Sequence, residues 1–146
     1  METKKIIAQY AFKIYSGIAL YFLVMKLLGL EHILVLRMLN FVIVIWGINA
    51  AIKTNIFKNN NSDYLTNIMI GAASSTIAVF ASAISLLVYV SFINPGFIHE
   101  LESSLMWGNN LNATLIAFVV FFEGTASSIV STFIVMQYWK NYKVLA

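Results

Sequence analysis

Residues 113–139 read ATLIAFVVFFEGTASSIVSTFIVMQYW, a run of apolar and small residues that contains a single charged side chain, Glu123. A helix of about 20 predominantly apolar residues is long enough to cross a lipid bilayer. Three other stretches of the chain have the same character. The sequence therefore predicts four membrane spans, at residues 7–30, 33–52, 65–93 and 112–139.

The composition indicates the same class of protein. Of the 146 residues, 60% are hydrophobic and 10% are charged, whereas about 25% of the residues of a soluble domain are charged. A soluble domain of this length has too little interior to bury so much apolar surface. We therefore expect one all-α domain, a four-transmembrane-helix bundle, with the lipid bilayer as its first partner and no nucleic acid.

The basic residues predict how the chain is oriented. Lysines that flank the spans fall on one side of the membrane, and the positive-inside rule places that side in the cytoplasm. Both termini are then cytoplasmic, and the expected location is the cell inner (cytoplasmic) membrane, with a polar loop at residues 53–64. Lys26 and Arg37 do not follow this pattern, since both lie near the ends of spans on the outer side of the membrane. The cytoplasmic lysines are Lys4, Lys5, Lys53, Lys58, Lys140 and Lys143.

The connection between the third and fourth spans predicts a short helix of its own. Asn94 is a suitable N-cap, and Pro95 suits the first helical position. Apolar residues then recur at helical spacing, which is typical of an amphipathic helix on the outer membrane surface. This helix could cap the bundle or form a docking surface for a partner. The apolar residues are Phe97, Ile98, Leu101 and Leu105.

The third and fourth spans carry small residues at intervals of three and four. In lipid, small residues let helix backbones approach closely. We expect these two helices to pack tightly, either with each other or with another chain. The helix-packing positions are Gly71, Ser75, Ala78, Ser82, Gly124 and Ser128.

Glu123 is the main candidate for function. A carboxylate inside the hydrocarbon costs a few kcal/mol or more unless it is protonated, paired or facing water. One interpretation is a buried pair with Arg37 or Lys26, or a protonated Glu123 bonded to serine or asparagine, that fixes helix register. The other is a proton- or cation-binding carboxylate in a transport path. The candidate intramembrane charge or ion site is therefore Glu123, Arg37 and Lys26.

The sequence gives little support for catalysis, cofactor binding or metal binding. The chain has no cysteine, which excludes thiolate metal sites and cysteine nucleophiles. Motifs for hydrolases, zinc proteases and phosphate-binding loops are missing, so we expect no enzyme and no cofactor. His32 and His99, which lie near acidic residues on the outer side, are weak candidates for metal ligands. They lack ligand spacing, and no metal site is predicted.

Three stretches resemble a family of small bacterial four-span membrane proteins described only as a domain of unknown function. They are LRMLNFVIVIWGINAAIK at residues 36–53, SFINPGFIHELE at 91–102 and FEGTASSIVSTFIVMQYWK at 122–140. The order of these stretches and the chain length also resemble that family. The resemblance implies a four-helix membrane fold and implies no activity.

Taken together, these features predict a small non-enzymatic accessory or interaction subunit. Its partner would be another membrane protein or a second copy of the chain, contacted through small-residue helix faces. The alternative is a proton- or cation-coupled transporter or channel that uses Glu123. A water-accessible cavity at Glu123 would favour transport, and a dry, bonded Glu123 would favour a structural role.

Overall fold

The structure, a computed structural model, describes residues 2–30, 35, 38–93, 95–96 and 112–143. Within these ranges it contains four long helices and no strands: α1 (Thr3–Leu27), α2 (Leu39–Lys58), α3 (Tyr64–Val88) and α4 (Ala113–Trp139). A five-residue π-helical segment, Tyr89–Ile93, continues α3. All four helices are long and apolar enough to cross a membrane. The prediction of an all-α four-helix bundle is confirmed, and the chain is a multi-pass membrane protein.

Helices α2 and α3 form the centre of the bundle. They pack against each other, α1 packs against both of them, and α4 also packs against both. Helices α1 and α4 therefore occupy opposite corners. The core between the helices is mainly aliphatic, with isoleucines of α1 and α2 against residues of α3 and α4. Its buried members are Ile14, Val44, Ile48, Ile52, Ile56, Ala78, Val135 and Met136.

A chain of asparagines fastens the turn between α2 and α3. The fully buried Asn55 donates from Nδ2 to Asn67 Oδ1 over 2.9 Å. Asn67 donates to the Asp63 backbone carbonyl over 2.9 Å, and Asn59 donates to Asn55 Oδ1 over 2.8 Å. Asp63 also caps α3, because its carboxylate accepts the backbone N–H of Thr66. The buried side-chain amides of Asn55 and Asn67 therefore have hydrogen-bond partners at the turn between α2 and α3.

The prediction that a polar loop begins at Lys53 is wrong, because α2 continues to Lys58. The last turns of α2 remain amphipathic. Asn55 and Ile56 are buried against the bundle, whereas Lys53 and Lys58 are exposed. This alternation at helical spacing keeps the segment helical. The chain leaves the helix at Asn59, and Asn60 takes a positive φ of 48° in the turn.

Helix α1 is also placed differently from the predicted first span, which was residues 7–30. It begins at Thr3 and ends at Leu27. Gly29 has a φ of +67°, and the N–H of Leu30 bonds to the Met25 carbonyl while the N–H of Gly29 bonds to the Lys26 carbonyl. These are the two hydrogen bonds of a Schellman motif, which ends a helix at a glycine.

Several predictions lie outside the described residues. The predicted outer amphipathic helix does so, apart from Pro95 and Gly96, which form a turn. Arg37, His32 and His99 also lie outside them.

Candidate functional site

The small residues of α3 and α4 lie where these helices approach each other and α2. A Cβ on Gly124 would come within 2.5 Å of Val79 Cγ1. A Cβ on Gly71 would lie 3.0 Å from the Cγ2 atoms of Ile48 and Thr132. Side chains from neighbouring helices thus occupy the space that each glycine leaves. The helix-packing positions Gly71 and Gly124 are used inside the chain.

Three serine hydroxyls on this contact are satisfied within their own helices. Ser75, Ser82 and Ser128 each donate to the backbone carbonyl four residues earlier, over distances of 2.8, 2.8 and 2.7 Å. Ala78, between the first two serines, is 1% exposed. The contact therefore depends on small size and needs no polar partner from the facing helix.

Glu123 points away from this contact, although Gly124 is its neighbour. It lies on the exposed surface of the bundle, as do Ala126 and Val130 at the next positions along the same face. Within the described part of the chain, Glu123 makes no hydrogen bond and no ion pair. The carboxylate is thus directed outward, where a bilayer would place lipid.

The depth of Glu123 in the membrane follows from Val79 of α3, the residue that faces its neighbour Gly124. Gly124 faces Val79, which lies close to the middle of the helical segment Tyr64–Ile93. At about 1.5 Å per residue, Val79 is about 20 Å from either end of that segment. Glu123 therefore lies near the middle of the membrane, far from either headgroup region.

The structure does not bring Lys26 to Glu123. Lys26 is exposed in the last turn of α1, and its Nζ lies 4.7 Å from the centroid of the Tyr89 ring. Helix α1 is at the opposite corner of the bundle from α4. The other predicted partner, Arg37, is outside the described residues, so the pair Glu123–Arg37 stays a prediction.

Sequence reasoning missed Lys13 as an intramembrane charge. In the predicted span from residue 7 it lay near an end, but α1 begins at Thr3. Lys13 is exposed, and its Nζ lies 4.6 Å from the centroid of the Tyr10 ring. Lys4 and Lys5 mark the headgroup level, so Lys13 is more than two helical turns deeper, by about 12 Å. That spacing is the signal that could have identified it.

A groove of about 430 Å³ runs between α1 and α3 on the bundle surface. Its walls are largely apolar, Lys4 lies at the end of the groove nearest the start of α1, and no acidic residue lines it. Glu123, on α4, is not part of it. The lining residues are Lys4, Ile7, Ala8, Ala11, Phe12, Tyr15, Ile77, Ala78 and Ala81. Among the described residues, no group of three or more His, Cys, Asp or Glu side chains could hold a metal ion.

The geometry thus provides an outward-facing carboxylate on α4 and an outward-facing ammonium on α1, each inside an apolar helix. In the described ranges, neither Glu123 nor Lys13 has an ionic partner. Comparison of the chain with protein-family models, curated proteins and solved structures found no match in any of the three.

Proposed function

We propose that this chain is a non-enzymatic interaction subunit of a membrane assembly, and that α4 contacts another transmembrane chain around Glu123. The observation that supports this most directly is the outward orientation of Glu123 near the middle of the membrane. Ionisable side chains at that depth normally face protein or water, because exposure to lipid costs several kcal/mol. A neighbouring helix would exclude lipid from Glu123 and supply a hydrogen-bond donor or a cation.

The outer face of α4, defined here as Phe118, Phe122, Glu123, Ala126 and Val130, is suited to such a contact. Phe118 and Phe122 are 56% and 66% exposed, and their rings stack with centroids 6.4 Å apart. A polar side chain on such a face can hydrogen-bond to a facing helix in the membrane, and Glu123 is the polar group of this face. Because the small residues of α4 already pack inside the bundle, this face remains available for a partner.

A transport role has less support. A carboxylate that carries protons or cations needs a water-filled route to both sides of the membrane. The surface groove between α1 and α3 is apolar and does not include Glu123. Where side chains are described around α4, the core beside Glu123 is filled by close contacts such as Gly124 against Val79.

The orientation forms part of the proposal. The start of α1, the end of α2 and the end of α4 lie at one end of the bundle, and lysines lie at or next to each of them. The positive-inside rule supports a cytoplasmic location for this end. We therefore infer an inner-membrane protein with both termini in the cytoplasm.

The test compares the parent chain with Glu123→Gln, and uses Glu2→Gln as a control that removes the same charge outside the spans. Each variant is extracted with its surrounding lipid, its assembly mass is measured, and its proton flux is measured after reconstitution in liposomes. We expect the parent and Glu2→Gln to form the same assembly, and Glu123→Gln to dissociate with unchanged helix content. Glu123→Gln that assembles normally but abolishes a proton flux seen in the parent would establish the transport alternative instead.

A further inference from the structure

We propose that the partner of the outer face of α4 is a second copy of this chain, and that Glu123 of one copy pairs with Lys13 of the next. This inference rests on the proposed function, since it names the chain that covers Glu123. It is carried by three observations: the two charges lie at the same depth, they lie on opposite corners of the bundle, and both face outward.

The depth of Lys13 follows from its neighbours in α1. Ala11 and Tyr15, on either side of it, line the surface groove together with Ala78 and Ala81 of α3. Lys13 is therefore level with the turn of α3 at residues 78–81, near the middle of that helix.

Glu123 is level with the same turn of α3. Its neighbour Gly124 faces Val79, which lies inside that turn. The two charged residues thus lie at the same depth to within about one helical turn, or about 5 Å. A lysine and a glutamate side chain together can span such a difference.

Their positions around the bundle exclude a pair within one chain. Helices α1 and α4 occupy opposite corners, each packed on the central helices α2 and α3. When two copies with the same orientation lie side by side, α1 of one can meet α4 of the other. Lys13 of one copy then faces Glu123 of the neighbouring copy. The charged residue that remains unpaired on each of these two copies can pair with a third copy. Such a head-to-tail contact generates rings or rows.

The chemistry of the two side chains supports this pairing over exposure to lipid. Lys13 has a ring contact with Tyr10 at 4.6 Å, but the ammonium has three donors, and a ring face is a weaker partner than a carboxylate. Near the charges both faces carry small residues, Ser16 on α1 and Ala126 on α4. Small residues allow the helices of neighbouring copies to approach closely.

The chain lacks cysteine, so introduced thiols report contacts without background. Gln9 and Ala126 are both exposed, and each lies about one turn on the cytoplasmic side of its charged residue. We expect Gln9→Cys/Ala126→Cys, treated in membranes with a flexible bismaleimide, to give dimers, trimers and larger products. Each single-cysteine chain alone gives monomers, and a mixture of the two single-cysteine chains gives dimers only.

Charge reversal then tests the pair itself in the double-cysteine chain. Lys13→Glu alone and Glu123→Lys alone should each lower the crosslinked fraction about tenfold, as expected for a loss of about 1.4 kcal/mol. Lys13→Glu combined with Glu123→Lys should restore it, which a merely structural role of either residue would not produce. Arg37→Gln should leave it unchanged. Loss of crosslinking on Arg37→Gln, with no effect of Lys13→Glu, would overturn the inference.

The remaining outcomes separate this inference from the proposed function. If Ala126→Cys alone crosslinks to itself, two α4 helices meet and the Lys13 pairing is wrong, although the outer face of α4 is still an interface. If Ala126→Cys crosslinks only to a different protein, the inference fails and the proposed function stands. If the parent chain is monomeric in the membrane and no crosslink forms, both fail.

Discussion

Gly124 of α4 lies so close to Val79 of α3 that a Cβ on the glycine would come within 2.5 Å of the valine Cγ1. Gly124→Leu should therefore force the two helices apart and lower the free energy of unfolding by about 1–3 kcal/mol or more. Titration with a denaturing detergent, followed by circular dichroism, measures this change. Gln137→Leu, at an exposed position of α4 that is not part of its outer face, is the matched control and should be tolerated. Equal losses for the two variants would contradict the close contact.

The hydrogen bond between Asn55 and Asn67 predicts a second loss. Asn67→Ala removes the acceptor of the Asn55 amide, which is fully buried. An unsatisfied buried donor costs about 1–3 kcal/mol, and we expect that decrease in the free energy of unfolding. Asn60→Gly is the control, because Asn60 has a φ of 48° that glycine adopts at least as easily. A larger loss for Asn60→Gly than for Asn67→Ala would refute the role of the buried pair.

Trp139 links α4 to α2 through a single hydrogen bond. Its Nε1–H donates to Asn49 Oδ1 over 2.8 Å, and its ring contacts Phe57 edge to face with centroids 6.1 Å apart. Trp139→Phe keeps most of the ring contact and removes the donor, so we expect a loss of about 1 kcal/mol. A double-mutant cycle with Asn49→Leu measures the coupling. Trp46→Phe, at a residue 60% exposed, should change the free energy of unfolding little. A coupling of zero would show that the bond does not hold the two helices together.

The cap formed by Asp63 predicts that the free energy of unfolding decreases at acid pH. The Thr66 hydroxyl and then the Thr66 backbone N–H, both bonded to the carboxylate, hold the pKa of Asp63 below its usual range. Because the pKa is lowered in the folded state, this carboxylate stabilises the fold above the unfolded-state pKa, near pH 4. That contribution is lost as the pH falls through the folded-state pKa.

Asp63→Asn should therefore flatten the decrease of the unfolding free energy as the pH falls below about 4. Glu2→Gln, in an exposed residue with no cap hydrogen bond, is the control. If the two variants leave the same acid dependence as the parent chain, the cap at Asp63 does not contribute to it.

The proposed orientation predicts which side of the membrane the turn between α2 and α3 faces. Asn60 is exposed in that turn, and Asn60→Cys introduces the one thiol of the chain. A membrane-impermeant maleimide should label it in inside-out vesicles and leave it unlabelled in intact cells. Labelling in intact cells would show that the chain has the opposite orientation.

Much of the fold was predictable because the bilayer imposes one simple rule, the length of an apolar run. Residues 113–139 and 64–93 exceed that length, and their small residues predicted a close approach that Gly71 and Gly124 make with their neighbours. The end of α2 was not predicted. Lys53, Lys58 and the asparagines suggested a loop, whereas buried Asn55 and Ile56 on the opposite face hold those turns in the helix.

The orientation of Glu123 could not be read from the chain. A helix in lipid is apolar on all sides, so its sequence does not show which face meets the bundle. That choice depends on which neighbours α4 has, and it is set here by Gly124 fitting against Val79. Lys13 was misplaced for a different reason: the start of α1 is polar, and hydropathy alone does not show that the helix begins at Thr3.

The central position of α2 and α3 also implies an order in which the bundle assembles. These helices are joined by the short turn at residues 59–63, and the Asn55–Asn67 pair closes it. Their contacts can form as soon as both have entered the membrane, before α4 has been synthesised. Helix α1, although made first, gains its full set of neighbours only when α3 arrives. We therefore expect the middle of the chain to act as the template on which its two ends dock.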